Sequence, residues 1–463
     1  MAEAHSAPDT ATPDTGTREH PSTQTPNPPD AFDFLEASGG IEAYRLKANG
    51  LRVLVLPEAA APVATLMVTY HVGSRDERTG LTGATHFLEH LMFKGTARYH
   101  KREGTAIFHT LQRVGARINA TTWLDRTNYY ELLPKEYLPL ALDIEADRMR
   151  GALLDDADLE SERTVILNEY DRGKNEPLRN LYHAVWSHAF VAHPYHHPTI
   201  GWRSDIETVT ASGLRHFYDT YYWPDNATLS IIGDVETGAV LELVAEYFGG
   251  IPAAPAPIPE VTTREPEQHG ERRFVLREAG QLGALMLGFK APRGLDADAD
   301  ALDLLAMVLA SGKSSRLYRR LTDQGLAAQV SASMPRLRDP GLFYVFALLS
   351  PGRTHEEVEA AIAEVLADVR DAGVTEVELE RARNQLRAQE AFGRDGPYAI
   401  AAQLNEAIAA GDWTLYTTFL DRIARVTPDD LLRAARTYLV EDRCTVGWFI
   451  PAGGAEEEGE DAD

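Results

Sequence analysis

VTASGLRHFYDTYYWPDNAT (residues 209–228) and VTPDDLLRAARTYLVEDRCT (residues 426–445) are the two stretches from which the fold is read. They align at a constant offset of 217, which lays Val209 on Val426, Thr210 on Thr427, Tyr221 on Tyr438 and Thr228 on Thr445. A second correspondence lays LQRVGARINAT (111–121) on LTDQGLAAQVSAS (321–333), with Leu111 on Leu321 and Gly115 on Gly325. Matches this far apart point to duplication of a large unit. Two unrelated helix-to-strand endings would also give identity this thin. Between the copies lies GGIPAAPAPIPEVTTREPEQHGE (249–271), a Pro-rich run where few contacts are expected.

Outward from this linker the chain divides into two halves. Each begins with a β-branched or apolar run, LRVLVLP at 51–57 and ALMLGFK at 284–290, and continues with helical patterns. The expected class is α+β, two similar halves, each a mostly antiparallel sheet with helices on one face. The expected boundaries are a disordered tail over 1–40, a first domain over 41–250, the linker over 251–272, a second domain over 273–452 and an acidic tail over 453–463. Pro, Thr, Ala and Asp dominate the first tail, which has no hydrophobic period.

The chain has 463 residues, 44% hydrophobic and 25% charged, ordinary values for a globular protein. Asp and Glu number 70 against 45 Lys and Arg, and this excess of negative charge argues against a nucleic-acid partner. A single cysteine, Cys444, excludes an internal disulfide and a thiolate metal cluster. No run approaches the roughly 18 apolar residues of a membrane span. The N-terminal residues lack a basic region followed by an apolar core, so the expected location is the cytoplasm, or the periplasm if the true start of the chain differs.

The chemistry is concentrated in His86-Phe87-Leu88-Glu89-His90, within the helix-patterned GATHFLEHLMFKGT (83–96). Residues four apart share a helix face, so both imidazoles can reach one metal ion. Glu89 falls in the same neighbourhood, and neutral imidazole suits zinc while a carboxylate nearby can accept a proton from an activated water. The same string would also serve as ordinary helix histidines. A catalytic zinc needs a third protein ligand, and the helical stretch ADLESERTVILNEYDRGKNEP (157–177) offers Glu169, with Glu162 two turns before it as a supporting carboxylate. Spacing alone favours the usual fate of such glutamates, which is to face solvent.

HxxEH is the signature of the inverted zincins, and the chain resembles the pitrilysin and insulinase family of zinc metallopeptidases over roughly residues 42–451. The resemblance is carried by GSRDE (73–77), HFLEHLMFKGT (86–96), NATTWLDRTNYY (119–130), ESERTVILNE (160–169) and HPY (193–195) with Gly201. Phe217, Tyr222-Trp223-Pro224, Asn226 and Gly233-Asp234 extend it. It implies a zinc-dependent endopeptidase with one Zn²⁺ per chain held by His86, His90 and Glu169, Glu89 as base and Glu162 as support. It also implies that an extended peptide pairs with the strand around Asn119, Ala120 and Thr121, by β-augmentation. Without the resemblance these three read as an ordinary sheet strand.

One departure stands out. The family uses an arginine and a tyrosine from its zinc-free half against the substrate carbonyl, but GKSSRLYRRLTDQGLAAQV (312–330) has Leu321 and Ala328 at those places. Arg319, Arg320 and Tyr318 are near, each a register shift away. The chain therefore resembles the zinc-bearing member of a two-chain enzyme, such as the beta subunit of mitochondrial processing peptidase. The implied partner is a homologous zinc-free chain bearing the Arg and Tyr, or else a second copy in a homodimer. The other readings are a non-catalytic assembly subunit or a peptide-binding module of the same fold. Two further strings carry less. GKSS (312–315) lacks the glycine a phosphate loop needs, having Met307 there, and His193, His196 and His197 are interrupted by Pro194 and Pro198, which makes a loop with structural roles.

Overall fold

The computed structural model describes residues 29–452. The first half supplies strands β1 (Phe32–Ser38), β2 (Ile41–Leu46), β3 (Arg52–Pro57), β4 (Val63–Tyr70), β5 (Arg117–Thr122), β6 (Thr127–Pro134) and β7 (Ala227–Gly233). Its helices are α1 (Ala84–Met92), α2 (Ile107–Gln112), α3 (Leu138–Gly151), α4 (Asp156–Lys174), α5 (Pro177–Ala189), α6 (Arg203–Thr208), α7 (Ala211–Tyr221) and α8 (Thr237–Phe248). The second half supplies β8 (Arg272–Ala279), β9 (Ala284–Lys290), β10 (Ala327–Ser333), β11 (Leu342–Leu349) and β12 (Cys444–Ala452). Its helices are α9 (Ala297–Ala310), α10 (His355–Ala372), α11 (Glu376–Gly393), α12 (Pro397–Ala410), α13 (Leu415–Arg425) and α14 (Pro428–Tyr438).

The sheets run β1-β2-β3-β7-β4-β6-β5 and β10-β11-β9-β12-β8. In each, one parallel pair (β3 with β7, β8 with β12) sits in an otherwise antiparallel sheet, so the second repeats the topology of the first without its β1–β2 hairpin. The repeat is visible residue by residue. Helices α7 and α14 start and end 217 positions apart, and Thr210 Oγ1 accepts from Gly213 N while Thr427 Oγ1 accepts from Asp430 N, the same cap in both copies. The turns at Gly115 (φ 81°) and Gly325 (φ 65°) also match, both left-handed, with Ala116 N bonded to Leu111 O and Leu326 N to Leu321 O.

Each sheet carries its own half's helices on one face. The opposite face is covered by a helix from the other half. Ile400, Ala401, Leu404 and Ile408 of α12 pack on Ile41, Leu54, Met67 and Ile232 of the first sheet. Leu181, Val185 and Trp186 of α5 pack on Met286, Leu342 and Phe449 of the second. Gly288 in β9 allows this close approach, since a Cβ there would lie 2.8 Å from Val185 Cγ1. The two halves thus bury apolar surface against each other, each Å² removed from water contributing about 25 cal/mol.

Two expectations are corrected. The tail expected over 1–40 includes β1, because Phe32 and Phe34 supply an alternating pair overlooked among the polar residues: Phe32 is 2% exposed and both rings meet Tyr44. The linker is also held at several points. Glu265 accepts from the backbone N–H of Val191, Ala192 and His193, and Gln268 donates to Cys444 O at 2.7 Å. Residues 1–28 and the acidic tail at 453–463 lie outside the described residues.

Candidate active site

Helix α1 is fixed at its N-terminus by Glu77, whose carboxylate accepts from Gly83 N at 2.7 Å and Thr85 N at 2.8 Å. Its inner face (Phe87, Leu88, Leu91) is core, which leaves His86, Glu89 and His90 towards α4 and β5. His86 Nε2 lies 3.6 Å and His90 Nε2 3.9 Å from Glu169 Oε2. One ligand atom from each of the three falls within 4.8 Å of the others, a group that could hold a metal ion. Two imidazoles and one carboxylate are the donor set of an open zinc site.

The protonation of these groups follows from their surroundings. His86 is held neutral, its pKa lowered to about 3 by burial and then by His90 and Arg179. For His90, burial acts downwards but is outweighed by Glu162, whose Oε2 lies 2.9 Å from Nδ1, and the pKa is raised. That bond occupies Nδ1 and leaves Nε2 facing Glu169. Glu162 is itself paired with Lys94, and against burial these partners hold its carboxyl below the usual range. Glu89 is pushed up by burial despite the Thr122 hydroxyl, which donates to its Oε2 at 2.5 Å.

Asn119, Ala120 and Thr121 lie on β5, the edge of the first sheet, paired on one side with β6. Asn119 and Thr121 are exposed, and Ala120 is 4% exposed and turned into the core. Three participants went unrecognised in the sequence. Lys94 is one helical turn beyond His90, a spacing that would have found it. Thr122, two along β5 from Ala120, was legible only as an inward-facing strand position. Arg126 was not legible at all: its guanidinium donates to Thr121 O at 3.2 Å and reaches Glu406 on α12 from the other half.

In the second half Leu321 is 0% exposed, inside the core, and Ala328 is exposed at a bulge between Ala327 and Gln329. Arg320 pairs with Glu364 of α10 at 2.7 Å. His193 bonds Asp339 at 3.0 Å, and His197 Nδ1 lies 3.7 Å from Glu77, so these histidines join the loop to its surroundings. No metal-ligand group other than His86, His90 and Glu169 occurs among the described residues.

The sequence model described as Insulinase (Peptidase family M16) matches residues 52–201, and that of the peptidase M16 inactive domain matches residues 208–386. The zinc protease PqqE of Helicobacter pylori is 31% identical over 415 residues, covering 89% of this chain and 93% of that protein. The chain belongs to peptidase family M16. An uncharacterized zinc protease of Streptomyces coelicolor is also 31% identical, over 84% of this chain and 86% of its own. The crystal structure of a protease from Helicobacter pylori superposes with a TM-score of 0.84 at 30% identity, covering 89% of this chain and 99% of that one. The M16 chain is a zinc metallopeptidase, with the metal-ligand cluster in its first domain and an inactive second domain. No helix among the described residues is long and apolar enough to cross a membrane.

Proposed function

We propose that the chain is a zinc-dependent endopeptidase that hydrolyses extended peptides or unfolded segments, with one Zn²⁺ held by His86, His90 and Glu169. The observation that carries this is the convergence of those three donors beside Glu89, a half-buried carboxylate with no ion-pair partner among the described residues. Zinc bound there would supply Lewis acidity towards a peptide carbonyl and a water. Glu89 accepts the water's proton on its carboxylate and returns it to the departing amine. Its raised pKa brings it closer to the working range of such a base. Glu162 fixes the tautomer and orientation of His90, and Thr122 fixes the rotamer of Glu89. The substrate backbone lies along β5 at Asn119, Ala120 and Thr121, where an open strand edge offers donors and acceptors irrespective of side chain.

The working enzyme is the zinc-bearing half of a pair whose other chain supplies an arginine and a tyrosine. Support comes from the second half: Leu321 is sealed in the core and Arg320 is engaged with Glu364, so neither offers a cation to a substrate. An oxyanion donor is worth about 10²–10³ in rate. The test is turnover of an unstructured fluorogenic peptide by the purified chain, with zinc, alone and mixed with a zinc-free relative carrying the missing pair. Activity is expected only in the mixture. Turnover of about 1 s⁻¹ or faster from a verified homodimer overturns the two-chain arrangement, and a purified chain that binds no zinc makes it an assembly subunit or peptide-binding module.

A further inference from the structure

A cavity of ≈ 380 Å³ opens between the end of α4, the helix that carries Glu169, helix α5, the loop at 198–202 and strand β8 of the other half. Its wall includes Tyr170, the neighbour of Glu169, and Ile200, whose carbonyl would be 2.4 Å from a Cβ on Gly83, just ahead of α1. The helix that carries Glu169 therefore borders it, and Arg179 on its far wall is near enough to His86 for its charge to act on that imidazole. Within it stands Arg179, half-buried, whose Nε donates to His183 Nε2 at 3.4 Å. Among the described residues its Nη groups have no hydrogen-bond partner, and no carboxylate lies within ion-pair distance. The guanidinium rests on the last turn of α4, with Nη1 3.1 Å from the Cβ position of Gly173, where the negative end of the helix favours a cation.

The remaining charges leave the cavity positive. Lys174 lies over the Tyr170 ring, 5.2 Å from Nζ to the centroid, and Glu278, the one acid in the lining, accepts from Asn180 at 2.6 Å. His183 is kept neutral, its pKa lowered to about 4 by burial and then by Arg179. A planar donor fork without an acid is built to take a carboxylate. The chain as a whole is acidic, with a formal net charge of −25, so a cationic pocket next to the reacting centre is a local reversal.

We infer that this cavity is a substrate subsite in which Arg179 binds a carboxylate lying close to the scissile bond. The inference rests on the peptidase reading above and deepens it to a substrate class: peptides with an acidic group at one fixed position. The group is an Asp or Glu side chain or the peptide's C-terminal carboxylate. Acidity elsewhere in the peptide is repelled by the surrounding surface, which makes the dependence on one position its signature.

The test is binding in the full chain carrying Glu89→Gln, loaded with zinc. Labelled peptides differ only in a single Glu, Gln or Lys walked through every position, each as free acid and as C-terminal amide. At one position Glu is expected to bind about tenfold or more tighter than Gln, with Lys weakest, and added salt should narrow the gap. A Glu preference confined to one position assigns the carboxylate to the side chain, and free acids binding about tenfold or more tighter than their amides, with no such position, assign it to the C-terminus. Arg179→Glu should invert the Glu/Lys order, and Arg179→Lys should keep it. Absence of both a discriminating position and a free-acid preference, or a preference unchanged by Arg179→Glu, overturns the subsite. Failure of the peptidase reading shows itself differently: the parent chain, with any partner, cleaves none of these peptides although the Glu preference in binding persists.

Discussion

The two halves share a sheet order, the cap at Thr210 and Thr427 and the turn at Gly115 and Gly325, but among the described residues only the first holds a cluster of metal donors. Helices α4 and α11 begin 220 positions apart, and so do α5 and α12, at Pro177 and Pro397. That offset sets Glu162 against Ala382 and Glu169 against Gln389. Ala382 is buried in the second core, where Glu162 in the first half is buried against His90 and Lys94. The same helix pair thus folds with a carboxylate network or with an apolar contact at one position. Donors are an addition to a scaffold that does not need them.

The largest way to break this comparison is at Glu89. Glu89→Gln should retain zinc and lose activity by about 10²–10⁴, measured as kcat with the natural partner and metal content by elemental analysis. Parent-level hydrolysis would remove Glu89 as base. Next comes Leu321→Arg, which puts an arginine where the family resemblance expects one: an unpaired charge in a closed core should cost about 3–5 kcal/mol. Chemical denaturation reads that loss, and unchanged stability would show that the site can open towards the substrate.

Making α4 resemble α11 sharpens the comparison further. Glu169→Gln should remove most zinc while the fold, judged by circular dichroism, stays intact. Glu162→Ala, the residue of its counterpart, should weaken zinc affinity by about 10–100-fold through the freed His90 ring, read by competition with a chelator. Unchanged zinc content in Glu169→Gln moves the third ligand elsewhere. The smallest effect tests the equivalence itself. Thr210→Ala and Thr427→Ala each remove the same cap and should each cost about 1 kcal/mol. Costs differing by more than twofold would mean that the two copies carry their helix ends differently.

The sequence by itself pointed to the duplication and to the histidine pair of the metal cluster. Both depend on short-range spacing: a conserved offset preserves caps and turns, and four residues on a helix bring two imidazoles to one face. Glu169 was legible through its family resemblance; two turns of helix alone do not distinguish a ligand from a solvated acid. Tertiary structure decided the rest. An amphipathic face states that α5 and α12 must be covered but not by which sheet, and each proved to cover the other half's. Arg126 met Glu406 only through that exchange, because side chains hundreds of positions apart are joined by packing and leave no period in the chain. Strand β1 was missed for a related reason: two phenylalanines in a polar run become a strand only when Tyr44 is there to receive them.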